Sequence, residues 1–118
     1  MTEIRRIEAG PRMSEATIHG NKVYTAGVVA DSAVGKSVFE QTKEILQQID
    51  QLLASAGSDK TRILKANIWL TDIGTFAQMN QAWDAWVVAG KTPARATVEA
   101  KLAAPGYDVE IMVEAATD

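Results

Sequence analysis

Side chains with strong intrinsic reactivity are few in this chain of 118 residues. It has no cysteine and one histidine, His19. Disulfides, thiolate metal sites, cysteine nucleophiles and zinc sites made of several histidines are therefore excluded, and a Ser-His-Asp triad would need His19. No acidic or hydroxyl partner stands at a suitable spacing from His19, which flanks a predicted turn. We interpret it as an exposed polar residue, so the chemistry has to be sought among other side chains.

Arg95 and Glu110 lie in two segments whose apolar and polar residues alternate, as in strands with one buried face. A guanidinium is a rigid, two-pronged donor that matches a carboxylate, so Arg95 is a candidate anion anchor. A carboxylate such as Glu110 can position water or transfer protons. From the residues alone, alternatives stay open: an ordinary ion-pair partner for Arg95, and a structural partner of an arginine or lysine for Glu110.

Length and composition predict one globular domain over residues 1–118. Hydrophobic residues make up 47% and charged residues 23%, and the formal net charge is −3. This acidic balance disfavours nucleic-acid binders, which need a basic surface. The N-terminus has no apolar signal core, and no apolar run approaches the roughly 20 residues of a membrane-spanning helix. We therefore expect a cytoplasmic protein with no membrane or nucleic-acid partner.

Two segments repeat apolar residues at three- and four-residue spacing, which predicts amphipathic helices. The first covers residues 38–56 and begins with a capping box formed by Ser37 and Glu40. The second covers residues 75–89, with a similar box formed by Thr75 and the glutamine three residues later.

Strand-like segments surround the two helices. A hairpin turn is predicted at Gly20-Asn21, because this pair tolerates positive φ. The strands are predicted over residues 13–19, 22–27, 62–71, 94–102 and 109–115. Helices between strands favour crossover connections and hence some parallel pairing. The sequence thus predicts an α+β fold, a mixed sheet with both helices on one face.

Two helices can cover only one face of this sheet. The uncovered face is expected to carry Arg95, Thr97, Glu99, Glu110, Met112 and Trp69. This mixture is too apolar for ordinary solvent surface and too polar for a second core, so it predicts a self-association surface that contains a polar pocket. The alternative is a solvated sheet face with scattered apolar residues.

Residues 93–99 read Pro-Ala-Arg-Ala-Thr-Val-Glu, and Val109-Glu110-Ile111 follows after Pro105. These motifs, in this order along the chain, resemble the RidA (YjgF) family of enamine/imine deaminases. Further motifs that agree with the family are Gly10-Pro11, the hairpin at Gly20-Asn21, the Tyr-Thr-Ala-Gly of residues 24–27, Gln41-Thr42 and the Phe-Ala-Gln-Met-Asn of residues 76–80. The resemblance covers nearly the whole chain.

That resemblance implies a chorismate-mutase-like fold and a homotrimer with helices outside and active sites in the clefts between subunits. It further implies hydrolysis of reactive 2-enamino or 2-imino acids, such as 2-aminoacrylate and its imine tautomer, to 2-oxo acids and ammonia. No metal or cofactor is expected, because a protonated imine is already a strong electrophile.

By the same resemblance, Arg95 anchors the substrate carboxylate and Glu110 positions water or transfers protons. If residues 103–108 simply joined two paired strands, Glu110 would lie opposite about Lys101, far from Arg95. The two residues can then share a site only through other strand pairing or across subunits.

The resemblance also places other residues at the pocket. The expected substrate-binding residues besides Arg95 are Thr97, Asn80, Ala26, Gly27 and Met13. Met13 replaces a tyrosine that many family members have, and Val28 replaces a frequent glutamine; both make the predicted pocket wall less polar. Arg12 is a possible second cation or a surface arginine. The sequence does not indicate which imine side chain is preferred. The alternative function is a regulatory protein whose pocket binds small molecules without turnover.

Overall fold

Two helices pack on one face of a six-stranded mixed sheet in the computed structural model, which describes residues 2–118. The elements are β1 (Ile4–Ile7), β2 (Ala16–His19), β3 (Lys22–Thr25), α1 (Val38–Ser55), β4 (Ile63–Leu70), α2 (Phe76–Trp86), β5 (Ala94–Glu99) and β6 (Val109–Ala116). The strand order is β1-β2-β3-β6-β4-β5, and only the pair β4–β5 is parallel. The predicted α+β architecture is confirmed.

Helix α1 follows its sequence pattern closely. Ser37 caps it by accepting a hydrogen bond from the Glu40 backbone N–H over 3.1 Å, as half of the predicted capping box. Its apolar stripe is buried in the core between helices and sheet, most completely at Ile45, Ile49 and Leu53. Burial of three such side chains stabilises the fold by about 1.5–3 kcal/mol each, which explains why this helix was predictable.

Helix α2 is shorter than predicted and begins differently. Thr75 makes no cap to the helix; its hydroxyl donates to the Asp72 carbonyl oxygen over 2.6 Å, within a short 3₁₀ turn. At the other end the helix stops at Trp86, because Val87 adopts an extended conformation with ψ of 155°. Val87 and Val88 are β-branched, which disfavours continuation of a helix. The prediction of a helix to residue 89 was therefore wrong.

The hairpin at Gly20-Asn21 is confirmed, with Gly20 at a φ of 60°. The sequence pattern missed β1, which pairs with β2 at the edge of the sheet. Its residues are mostly exposed, so they carry no apolar alternation to detect.

The face assignment predicted for β5 was wrong. Arg95 pairs in register with Ala66, and Thr97 with Ile68, and both β4 residues are buried against the helices. Arg95, Thr97 and Glu99 therefore lie on the helix face, and the apolar residues of β5 lie on the open face. The alternation misleads because β5 is an edge strand, where small apolar residues can face outward while a long arginine side chain packs under a helix.

The open face of the sheet is accordingly more apolar than predicted. Trp69 lies between Glu110 on β6 and Val98 on β5, as the strand pairing requires. Val98 is 50% exposed, and Met112 lies on the same face two residues after Glu110. This face combines aromatic, aliphatic and acidic side chains.

Candidate active site

Arg95 projects beneath α2, where three residues of the helix contact its guanidinium. Its Cζ lies 5.6 Å from the centroid of the Phe76 ring and 5.2 Å from that of Trp83. Its Nη1 lies 3.9 Å from Met79 Sδ. These residues repeat at three- and four-residue spacing and so share one face of α2. Aromatic rings and a sulfur atom thus hold the half-buried cation.

Within residues 2–118, no carboxylate forms an ion pair with Arg95; the ion pair found there joins Arg62 to Asp118 over 3.2 Å. A charged group taken partly out of water is usually compensated by an opposite charge. The guanidinium of Arg95 is therefore chemically suited to bind an anion from outside the chain, such as a carboxylate.

Two buried polar atoms on the same side of the sheet lack hydrogen-bond partners. They are Asn80 Oδ1 and Thr97 Oγ1, the only such side-chain atoms in the part of the chain described. Asn80 shares the face of α2 that holds Phe76 and Trp83, and Thr97 follows Arg95 on the same face of β5. An unpaired buried polar atom costs about 1–3 kcal/mol. Both atoms are open to a hydrogen bond from a ligand or a second copy of the chain.

Glu110 lies on the opposite face of the sheet, with its carboxylate packed on the backbone of Gly27. A Cβ atom on Gly27 would lie only 2.9 Å from Glu110 Cδ. Two hydrogen bonds hold the segments together: Val28 N–H donates to the Ile111 carbonyl oxygen (2.8 Å), and Ile111 N–H donates to that of Val28 (3.1 Å). A side chain at residue 27 would therefore displace the carboxylate.

A cavity of about 290 Å³ opens beside Glu110. Its walls are the segment after β3 and the loop between β5 and β6; the lining residues are Gly27, Val29, Asp31, Leu102, Ala103, Ala104, Tyr107 and Glu110. The Tyr107 hydroxyl donates to Asp31 Oδ1 over 2.8 Å and so joins the two walls. This hydrogen bond raises the pKa of Tyr107 above its ordinary value, because the protonated hydroxyl is the donor.

The loop that precedes Glu110 is tied down by two further side chains. Gln41, fully buried in α1, donates from Nε2 to the Gly106 carbonyl oxygen (3.2 Å) and accepts at Oε1 from the Asp108 N–H (2.9 Å). Thr71, just after β4, donates to Asp108 Oδ1 over 2.6 Å. The backbone of the segment that leads to Glu110 is therefore fixed from within the chain.

Known proteins are similar to this chain along nearly its whole length. The family model described as Endoribonuclease L-PSP matches residues 3–117. The crystal structure of NMB1025 from Neisseria meningitidis, a member of the YjgF protein family, superimposes with a TM-score of 0.94. It is 46% identical to this chain and covers 98% of this chain and 96% of its own. This chain belongs to the YjgF family.

Two other relatives of this YjgF-family chain are similar along nearly their whole length. The RutC family protein of Haemophilus influenzae is 51% identical over 110 residues, 93% of this chain and 95% of the relative. The RutC family protein YoaB of Escherichia coli is 50% identical over 113 residues, 96% of this chain and 97% of the relative. The family resemblance predicted from residues 93–99 and the other sequence segments is thus confirmed.

In one copy of this YjgF-family chain, the predicted site residues fall into two groups. The group on the helix side of the sheet consists of Arg95, Thr97 and Asn80. The group beside the 290 Å³ cavity consists of Glu110, Gly27 and the adjacent Ala26. Met13 lies apart from both, 52% exposed in the loop between β1 and β2. The sheet itself separates the two groups, so Arg95 and Glu110 do not share a site within one copy.

Sequence reasoning missed several residues of the second group. Tyr107 and Asp31 are far apart in the chain, and no local pattern predicts their hydrogen bond. Gln41 left a weak signal, because it is a polar residue within the apolar stripe of α1. Val28, predicted as part of the pocket wall, has its side chain in the core and is 4% exposed.

Among residues 2–118, no group of three His, Asp or Glu side chains has the geometry to bind a metal ion. None of the helices described is both long and apolar enough to cross a membrane.

Proposed function

We propose that this protein is a cytoplasmic, homotrimeric deaminase. It hydrolyses reactive 2-enamino and 2-imino acids, such as 2-aminoacrylate and 2-iminopropanoate, to 2-oxo acids and ammonia without a metal or cofactor. The observation that carries the proposal is the Arg95 guanidinium, half-buried and without a carboxylate partner among residues 2–118. Asn80 and Thr97 add polar atoms beside it that are open to a ligand.

Substrate binding begins at Arg95. Two parallel N–H donors of the guanidinium bind both carboxylate oxygens of the substrate and fix its orientation. Each such charge-assisted hydrogen bond contributes about 1.5–3 kcal/mol. A fixed carboxylate also fixes the adjacent C=N carbon, which turns hydrolysis into a reaction between positioned groups.

Hydrolysis then needs a group that takes and returns a proton, and Glu110 has this role. An enamine first takes a proton from the solvent at its terminal carbon, which gives the iminium ion. Glu110 takes a proton from water as the water oxygen bonds to the iminium carbon, and the C=N π electrons move to nitrogen, giving a carbinolamine. Glu110 returns the proton to this nitrogen, and the C–N bond breaks with its electrons going to nitrogen. The leaving ammonia takes the hydroxyl proton, which gives the 2-oxo acid and ammonium.

The active site is completed between copies of the chain. Arg95 and Glu110 lie on opposite faces of one sheet, so a second copy must bring its Glu110 to the Arg95 of the first. The exposed apolar residues of the open face, among them Val98 at 50% exposure, support self-association. A ring of three copies, each offering one half-site to the next, is a closed heterologous assembly. Light scattering at micromolar concentration should give the mass of a trimer; a monomer would contradict the shared site.

A regulatory protein that binds 2-oxo or 2-imino acids without turnover is the second candidate. Met13, where many family members have tyrosine, favours it, because methionine cannot donate a hydrogen bond to a bound substrate. The matching family model is described as an endoribonuclease. The net charge of −3 and the single, exposed His19 oppose that activity here.

A panel of 2-imino acids, generated in place by an amino-acid oxidase, tests the proposal. Release of ammonia and 2-oxo acid should exceed the uncatalysed rate, and prolonged chelation should leave that excess unchanged. A rate lost on chelation and restored by a divalent ion would contradict the metal-free mechanism. Binding of 2-oxo acids without any rate excess across the panel would instead support the regulatory candidate.

A further inference from the structure

The guanidinium of Arg95 is held by ring faces, and this decides which of its atoms remain free. Phe76 and Trp83 lie two turns apart on α2, and the Arg95 Cζ lies within 5.6 Å of both ring centroids. Cation–π attraction acts on the flat face of a guanidinium, whereas its N–H donors all point outward along its edge. A carboxylate partner from the chain itself would have occupied that edge.

A long arginine side chain keeps one conformation only where contacts with its neighbours hold it. A long side chain loses rotamer freedom when a ligand fixes it, and that loss weakens binding. Ion pairing would order Arg95 at the expense of its donors. Contacts with Phe76, Trp83 and Met79 order it while the donors stay open.

We infer that Phe76 and Trp83 are positioning residues that hold Arg95 ready for a ligand carboxylate. The inference rests on the proposed function only in taking Arg95 as the carboxylate anchor. Neither aromatic residue needs to touch the substrate. Both act through Arg95, so their loss should weaken carboxylate binding and raise KM while kcat at saturating substrate stays nearly constant.

The chain offers a matched control for Phe76. Lys43 Nζ lies 5.6 Å from the ring centroid of Phe39 on α1, the same distance that separates Arg95 from Phe76. Phe39 therefore has an aromatic and cationic contact of the same kind without serving Arg95. Trp86 is not such a control for Trp83, because the two rings pack on each other with centroids 5.4 Å apart; the conservative change Trp83→Phe serves instead.

Calorimetric titration of the full-length protein with 2-oxobutanoate, a stable carboxylate, measures the effect without turnover. Phe76→Leu and Trp83→Leu should each weaken binding about two- to ten-fold, the range of one cation–π contact. Trp83→Phe keeps a ring over Arg95 and should restore binding to within about two-fold of wild type. Phe39→Leu should bind as wild type does.

The melting temperature separates positioning from general stability. Trp83 is 5% exposed, so Trp83→Leu should also lower the melting temperature. Phe76 is 39% exposed, so Phe76→Leu should fold normally and gives the cleaner result if the Trp83 variant is unstable. The inference is overturned if Phe76→Leu binds as tightly as Phe39→Leu, if Trp83→Phe binds as weakly as Trp83→Leu, or if the wild type does not bind 2-oxobutanoate.

The imine panel distinguishes failure of this inference from failure of the proposed function. If the expected binding order appears but no imine is hydrolysed, the positioning role stands and the deaminase proposal fails. If the wild type hydrolyses imines but the Phe76 and Phe39 variants bind alike, the deaminase proposal stands and the positioning role fails.

Discussion

Around Arg95 the polar groups are open, whereas the loop that leads to Glu110 is hydrogen-bonded within the chain. Arg95 has ring faces but no carboxylate, and Asn80 and Thr97 each carry a buried atom without a partner among residues 2–118. Near Glu110, hydrogen bonds made by Gln41, Thr71 and Tyr107 fix the adjoining loop and cavity wall. The two regions also face away from each other across the sheet.

This difference shows how one small fold can hold two functional groups that it never brings together. Open donors and acceptors lower the stability of an isolated chain, so they persist where a ligand or another copy satisfies them. A loop that is hydrogen-bonded within the chain, in contrast, already has its backbone geometry set. We therefore expect the Glu110 region to supply a rigid wall and the Arg95 region to supply the groups that bind.

Glu110→Gln should have the largest effect, on turnover. Glutamine keeps the size and hydrogen bonding of the side chain but cannot exchange a proton, so kcat should fall about 100-fold or more while binding of a 2-oxo acid changes little. Glu114→Gln, on the same face of β6, is the control. Unchanged turnover in a folded Glu110→Gln protein would assign Glu110 to a structural role.

Arg95→Lys should lose about ten- to hundred-fold in rate at low substrate, because lysine keeps the charge but loses one of two charge-assisted hydrogen bonds. Arg95→Ala should lose more. Arg62→Lys, whose arginine pairs with Asp118, should have no effect on turnover.

Turnover, melting and oligomer mass together separate the two roles of Arg95. If Arg95 were only a structural ion-pair partner, the lysine variant would keep near-normal turnover. The alanine variant would then mainly melt early or dissociate. Either result would remove Arg95 from the site.

Gly27→Ala should move the Glu110 carboxylate without changing its chemistry. The added methyl group overlaps the carboxylate, which can swing away because it is the end of a flexible side chain. A displacement of about 1 Å costs up to about 100-fold in rate, so we expect a loss of about ten-fold or more with little change in melting temperature. In a Glu110→Gln background the same change should add little, since the two act on one group. Additive losses would contradict this account.

Tyr107→Phe should have the smallest effect, about two- to three-fold in rate, because it removes one neutral hydroxyl from an exposed hydrogen bond. The pKa of Tyr107 tests the hydrogen bond more directly than the rate does. The folded state raises the pKa of Tyr107, so the bond stabilises the fold below the ordinary pKa of about 10 and is lost as pH rises through the raised value. Asp31→Asn should lower the pKa of Tyr107 toward its ordinary value, as measured by an absorbance titration of the phenol. An unchanged titration midpoint would contradict the hydrogen bond between Tyr107 and Asp31.

The sequence was sufficient for the elements whose apolar spacing matches their burial, such as α1 and the hairpin at Gly20-Asn21. It failed for β5, because an edge strand lets Arg95 pack under aromatic rings while Val98 faces outward. Individual candidate site residues could be named from the family resemblance. Their division between two faces could not, since it depends on β4 lying between β5 and β6, a pairing that is set by contacts distant in sequence.

Mixing two inactive variants tests the shared site most directly. Arg95→Ala and Glu110→Gln subunits are co-expressed in equal amounts, and all the trimers they form are purified together. This mixture should recover about one quarter of wild-type turnover. Roughly three quarters of the trimers then contain both variants, and each has one of its three sites built from an intact Arg95 and an intact Glu110 of different copies. Turnover no greater than the mean of the two separate variants would contradict a site shared between copies.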